Sequence, residues 1–318
     1  MNTAVPLPSV QDVFTEDEVA RTAYTRLVPL ENQAELFIRV LGQVLIQAPS
    51  LEERALVAQR IHDCATNQEL IELGKSHLEQ FVEYIKGLRA LSSPPKLARG
   101  EILLNIPTVA PRSHLEAKKQ ALVRDNYRCV VSGFVDVDGI EALPRLEKDI
   151  ATTSAMIRCT ECCHIFPEQG DWDDSDSEEP GHHNNSSRFT LAHVFGGAHE
   201  PSLTETGIYD LRNMLTLETG TCAAFREFMI WLEPTGEVAS QYRLVGRYAH
   251  YGKDLPEVVT FFSTSPDLLL PHPRFLAFHA ACARVLQLSG AGKFINRLLH
   301  QPKYSSISTY SKVRLRLA

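Results

Sequence analysis

Three cysteines and a histidine fall within six residues of this chain: Cys159, Cys162, Cys163 and His164, in RCTECCHIFPE at residues 158–168. Thiolates and imidazoles are the donors that zinc takes, so the Cys-x-x-Cys pair, with Cys129 upstream, is a candidate for part of a tetrahedral shell. No second Cys-x-x-Cys accompanies it. Further on, Cys222 follows Thr-Gly-Thr at the start of a predicted helix, where the helix dipole lowers a thiol pKa. Opposite an imidazole such as His164, that thiol would form a cysteine-histidine pair suited to nucleophilic or acid-base work. The plain alternatives are a histidine satisfied by a backbone carbonyl and a cysteine that serves as a small buried hydrophobe. Asn213, in the turn entering MLTLE, is either a positioning amide or an ordinary turn former.

These residues need a scaffold, and the first ninety residues offer only a helical one. Leu36, Phe37, Val40, Leu41, Val44 and Leu45 recur at helical spacing between Glu31 and Gln47. A shorter helix is predicted from Glu16 to Leu27. Ser50-Leu-Glu-Glu is a capping box that starts another, running to about Cys64. A longer helix over Asn67–Arg89 puts Ile71, Leu78, Phe81, Val82, Ile85 and Leu88 on one stripe. Residues 91–113 are rich in Pro and Ser and read as a linker. A helix from Ser113 to Arg124 then leads into the strand and turn of DNYRCVVSG. The acidic, Ser- and Gly-rich stretch 168–188 reads as a loop, with helix expected to resume at Leu191 and again over Thr221–Phe228. MIWLEP and YRLVGRY read as two strands around a Pro-Thr-Gly turn, and His272–Leu286 as a closing helix.

The formal charge of −7, from 32 Lys and Arg against 39 Asp and Glu, disfavours nonspecific adhesion to nucleic acid, which draws on clustered basic residues. A membrane helix would need roughly 18 unbroken apolar residues, and no segment supplies them. The prolines and acids of MNTAVPLPSVQDVFTEDEVA do not match a secretory signal. A cytoplasmic or nuclear location is therefore expected, where the seven cysteines are poor evidence for disulfides.

Three segments, RDNYRCVVSG, RCTECCHIFPE and LRNMLTLETGTCAAFREFMIWLEP, together resemble the HNH-nuclease-like (ββα-metal) proteins common in fungal genomes. In that family a lead-in helix meets a Tyr-Arg-Cys-x-x-Thr-Gly-like turn. A strand follows, ending in Ala/Thr-His-Ile-x-Pro, and after a variable insertion comes Asn-x-x-Thr-Leu-x-x-x-x-His-x-x-Phe-Asp. The resemblance covers roughly residues 113–295 and, more weakly, the helical front half. It implies that His164 is the general base that activates water and that Asn213 orients the base or its loop. The final His, a ligand of the catalytic cation, falls nine positions after Asn213, where this chain has Cys222. The Asp four residues later is Arg226, and the metal-binding position before the first His is Cys163.

Magnesium prefers oxygen ligands and does not suit a site offering Cys163 and Cys222. Zinc, favoured over magnesium, would accept those thiols with His164 or His193. The implied architecture is α+β: a helical N-terminal unit with its linker over 1–110, packed on an HNH-like ββα core over 111–318 that ends in a C-terminal helix. Three functions are carried forward. The first is a divergent endonuclease-like hydrolase with phosphodiester hydrolysis as ancestral activity. The second is a repurposed scaffold acting on a small molecule, for example a cyclase or hydrolase of secondary metabolism that uses His164, Asn213 and Cys222. The third is a non-catalytic interaction protein. Nucleic acid and a small-molecule substrate both stand as partners, and no membrane is expected.

Overall fold

In the computed structural model, which describes residues 4–90, 110–153, 155–166, 194–195, 209–247 and 255–299, the chain is a mixed α+β structure. The front half is helical: α1 (Glu18–Leu27), α2 (Glu35–Gln47), α3 (Leu51–Asp63) and α4 (Asn67–Ala90). Eight of the thirteen residues of α2 are buried, because its apolar face is wide enough to be covered by α4 on one side and by a C-terminal helix on the other. Gly74 permits the α2–α4 approach, since a Cβ there would collide with the Phe37 carbonyl. Ser50 caps α3: its Oγ accepts the Glu53 N–H at 3.3 Å, and its hydroxyl, where a capping box would use the backbone N–H, donates to the Glu53 carboxylate.

After the linker, of which residues 91–109 lie outside the described ones, α5 (His114–Arg124) begins at Ser113, whose hydroxyl accepts the Glu116 N–H at 3.2 Å. Next come β1 (Val135–Asp136), α6 (Val137–Ala142), α7 (Pro144–Thr153) and β2 (Ile157–Arg158), with β1 and β2 parallel. None of these four elements is foreseen above; two-residue strands carry no readable alternation. The centre of the second half is an antiparallel pair, β3 (Thr160–His164) and β4 (Met214–Glu218), in the register Thr160↔Glu218 to His164↔Met214. Helix α8 (Thr219–Arg226) starts at the residue after β4 and packs on both strands. A three-stranded antiparallel sheet follows in the order β5 (Ile230–Pro234), β6 (Gln241–Gly246), β7 (Val258–Thr260).

Helices α9 (Pro273–Leu288) and α10 (Ala291–Leu299) complete the described chain. Through Phe275, Leu276, Phe278, Cys282, Val285 and Leu286, α9 fills the space between α2 and β5. One apolar core thus runs from Leu27 and Leu41 through Cys163 and Leu215 to Phe278 and Ile295, across the boundary expected near residue 110. The loop reading of 168–188 and the helix expected at Leu191 lie outside the described residues. Among the described residues no helix is long and apolar enough to cross a membrane.

Candidate functional site

Strand alternation sorts the chemistry-bearing residues onto two faces, because successive side chains of a strand point to opposite sides. Thr160, Cys162 and His164 share the face covered by α5, where Cys162 packs with Ala117, Ala121 and Met214. Glu161 and Cys163 share the face covered by α8, and Cys163 joins the main core with Cys222 and Leu215.

On the α5 face His164 keeps only 9% of its exposure. Its ring lies 5.3 Å from that of His114 and 6.1 Å from that of Tyr209, centre to centre. His114, the first residue of α5, has Nε2 at 3.2 Å from the Cys162 carbonyl oxygen, so this nitrogen carries the hydrogen. His164 Nε2 is buried without a hydrogen-bond partner among the described residues. Burial, then the nearby His114 and Arg226, push the His164 pKa down to about 3. The ring is therefore neutral near pH 7 and carries a free nitrogen lone pair. His114 was missed in the sequence; it lies some fifty residues upstream, and only the seating of α5 across β3 brings the two rings together.

Asn213 ends a short 3-10 turn over Leu211–Asn213 and is fully buried. Its Oδ1 accepts the Phe166 N–H at 2.8 Å and its Nδ2 donates to the Phe166 carbonyl at 2.9 Å, while its own carbonyl accepts the Ile165 N–H at 2.9 Å. The carboxamide thus clasps the backbone that leaves β3 just after His164. A second support has no counterpart in the sequence reading. Arg124, at the C-terminal end of α5, is 0% exposed and forms a bidentate pair with Asp125 at 2.7 and 2.8 Å. Its remaining donors reach the carbonyls of Leu211 at 2.8 Å, Met214 at 2.9 Å and Leu269 at 3.1 Å. Asp125 in turn accepts the Thr216 N–H at 3.3 Å. A charged residue tied to so many backbone groups fixes α5, β4 and the 269 segment to one another. The RDN tripeptide looks like a turn in the sequence, and nothing local announces this role.

The α8 face holds a different cluster. Cys163 and Cys222 are both fully buried, and the Cys163 thiol donates to the His164 carbonyl at 3.7 Å. Arg226, one helical turn beyond Cys222, pairs with Glu161 at 3.6 Å. Burial raises the Cys163 pKa, but Cys222 and the Arg226 charge outweigh it and hold this thiol below its ordinary value. The sequence points to Cys222 as the activated thiol at a helix N-terminus. In the structure Cys163 and burial raise the Cys222 pKa instead.

The donor set nominated for zinc is therefore divided. Cys163 and Cys222 meet on the α8 face, beside a guanidinium that repels a cation; His164 turns to the α5 face; His193 lies outside the described residues. In the Cys-x-x-Cys pair, Cys159 is exposed and Cys162 is buried with its pKa pushed up to about 12 by burial. Cys129 is buried and its sulfur accepts the Ser132 N–H at 3.3 Å, which closes a local turn. Among the described residues no three or more His, Cys, Asp or Glu side chains are grouped to hold one metal ion. No family model matches the chain, and no curated protein or solved structure matches it.

Proposed function

We propose that this chain is a divergent HNH-nuclease-like hydrolase that keeps the imidazole-and-asparagine end of a ββα site and has exchanged the magnesium end for a sealed thiol pair. The observation that carries this reading is the clasp of Asn213 on Phe166, two residues beyond His164, inside a strand-strand-helix unit whose helix begins where β4 ends. An amide in that place steadies the strand end that bears the base. In phosphodiester hydrolysis the neutral His164 would take a proton from water as the water oxygen bonds to phosphorus, while the leaving oxygen needs a cation or an acid to stabilise it. Thiols buried beside Arg226 do not offer magnesium the oxygen ligands it prefers.

Incubating the purified protein with plasmid and Mg²⁺, Mn²⁺, Ni²⁺ or Zn²⁺ tests the reading. Nicking is expected with at least one of the three transition ions and not with Mg²⁺, and it is abolished by His164→Ala. Intact plasmid under every metal would remove the proposal.

A second reading, a small-molecule hydrolase or cyclase on the same scaffold, draws support from the depth of His164. An imidazole that is nine-tenths covered and flanked by His114 and Tyr209 suits a compact substrate better than the phosphate of a duplex. Location of the gene among biosynthetic genes, with a metabolite lost on its deletion, supports this alternative; an unchanged metabolite profile counts against it.

A further inference from the structure

We propose that the outer edge of β7 and the turn at 129–133 form a groove for an extended peptide segment of another protein, which joins the sheet as a further strand. The groove is a cavity of about 320 Å³, walled by Cys129, Val130 and Val131 of the turn and by Val258, Thr260 and Phe262. Among the described residues β7 is the outermost strand of its sheet, in the order β5-β6-β7. Its register fixes which of its backbone groups β6 uses. The Glu257 carbonyl accepts the Leu244 N–H at 2.8 Å and the Phe261 N–H donates to the Ser240 carbonyl at 2.9 Å, with Val259 opposite Tyr242 between them. Backbone groups alternate in direction along an antiparallel strand. The N–H and C=O groups of Val258 and Thr260 therefore turn away from β6, and both residues line the cavity. Among the described residues no other backbone group bonds them.

Donors and acceptors turned outward along an extended strand match another extended backbone. The exposed apolar surface lies at the same edge, where Val258 is 46% and Phe262 57% exposed. The opposite wall is fixed: the Val130 N–H donates to the Thr216 carbonyl at 2.9 Å, and the Gly133 N–H to the Cys129 carbonyl at 2.9 Å. A volume of about 320 Å³ stands at the bottom of the roughly 300–1,000 Å³ range of ligand pockets. It suits apolar side chains of an added strand better than a large ligand. The turn that walls the groove also leaves room for a single strand and not for the sheet edge of a second folded copy. Side chains of a strand alternate between faces, so the segment recognised carries apolar residues at every second position. The groove takes no part in the hydrolase reading, and either proposal can fail alone.

The full chain, immobilised, is panned against a phage library of random heptapeptides, and the selected sequences are remade as fluorescein-labelled peptides for anisotropy titration. They are expected to alternate apolar and polar residues. Val258→Pro removes an outward N–H without touching the ladder to β6, a change that an edge strand accepts. With native circular dichroism retained, it should weaken peptide binding roughly 10-fold or more. The unmutated protein gives a second readout that no folding defect can mimic. N-methylation of the peptide at alternate amides should cause the same loss in one register, and methylation shifted by one residue should leave binding unchanged. Failure to select any sequence, or binding that is indifferent both to Val258→Pro and to the register of methylation, overturns the proposal. A dimer in sedimentation that Val258→Pro converts to monomer overturns it as well, because the occupant of the edge is then a second copy of this chain.

Discussion

Asn213 and Arg124 act on the same strand end by different physics, and each makes a prediction at its own site. Replacing Asn213 with Ala leaves the Phe166 N–H and carbonyl buried without the partners they have now. Each such loss costs about 1–3 kcal/mol, so urea denaturation should show a drop of roughly 2–5 kcal/mol. A loss within about 0.5 kcal/mol would mean that the clasp is dispensable. Arg124→Met strands the Asp125 carboxylate in the interior, an outcome expected to cost about 3–5 kcal/mol. The double change Arg124→Met/Asp125→Leu should recover part of that loss, because an apolar pair needs no counter-charge. If the double variant proves less stable than the single one, the ion pair is not what holds α5 to β4. Asn213 was legible as a candidate because a motif names it; Arg124 was not, because its carbonyl partners lie roughly 90 and 145 residues away in sequence.

Among elements, the long helices were the readable ones. The apolar spacing of α2 and α4 and the serine caps of α3 and α5 are local signals, and the structure starts α3 at Leu51 and α5 at His114 accordingly. The helix over α8 begins two residues before its expected start, because Glu218 rather than a later residue caps it, accepting the Thr221 N–H at 2.9 Å. The partition of Cys163 and His164 between two faces was in principle readable from alternation along β3. It was missed because a family motif groups its residues by role and not by the side of the strand they occupy. Register gives this partition a consequence: a one-residue insertion between Thr160 and Cys163 would exchange the faces. It would carry a thiol toward α5 and the imidazole into the apolar core, and the expected result is insoluble protein on expression. Soluble protein with native circular dichroism would show that β3 tolerates slippage.

At the scale of the whole molecule, the core shared between front helices and α9 makes the N-terminal unit dependent on the rest. A fragment ending at residue 110 should be aggregated or unfolded, with no cooperative transition, since the face of α2 that meets α9 would lie open to water. A sharp thermal transition in that fragment would contradict the shared core. The sequence suggested two closely packed units; what it could not supply was the closure, which depends on contacts between residues more than two hundred positions apart. Arg284 of α9, for instance, bonds Gln47 at 2.7 Å.

The same interior sets the pH response. His77, His164 and His279 have pKa values of about 4, 3 and 3, lowered chiefly by burial from an ordinary 6.5. The unfolded chain takes up these protons as the pH falls through 6.5, whereas the folded chain resists until far lower, so unfolding binds protons in that window. Stability is therefore fully present above about pH 6.5 and declines as the solution is acidified. Denaturant midpoints should fall between pH 6.5 and 5, before most carboxylates titrate, and His77→Leu should flatten the slope. A midpoint that stays level over that window would contradict the buried neutral imidazoles.

The Asn213 clasp has one more consequence, for how such a chain can change over evolutionary time. The backbone leaves β3 at Ile165 and returns at Asn213, and both ends are tied to each other by the same three hydrogen bonds. The strand pair is thus closed at this end by its own hydrogen bonds, and in general doubling the length of a connection costs only about 0.6 kcal/mol. A change in the length of the connection therefore need not disturb the register of the strand pair that carries His164.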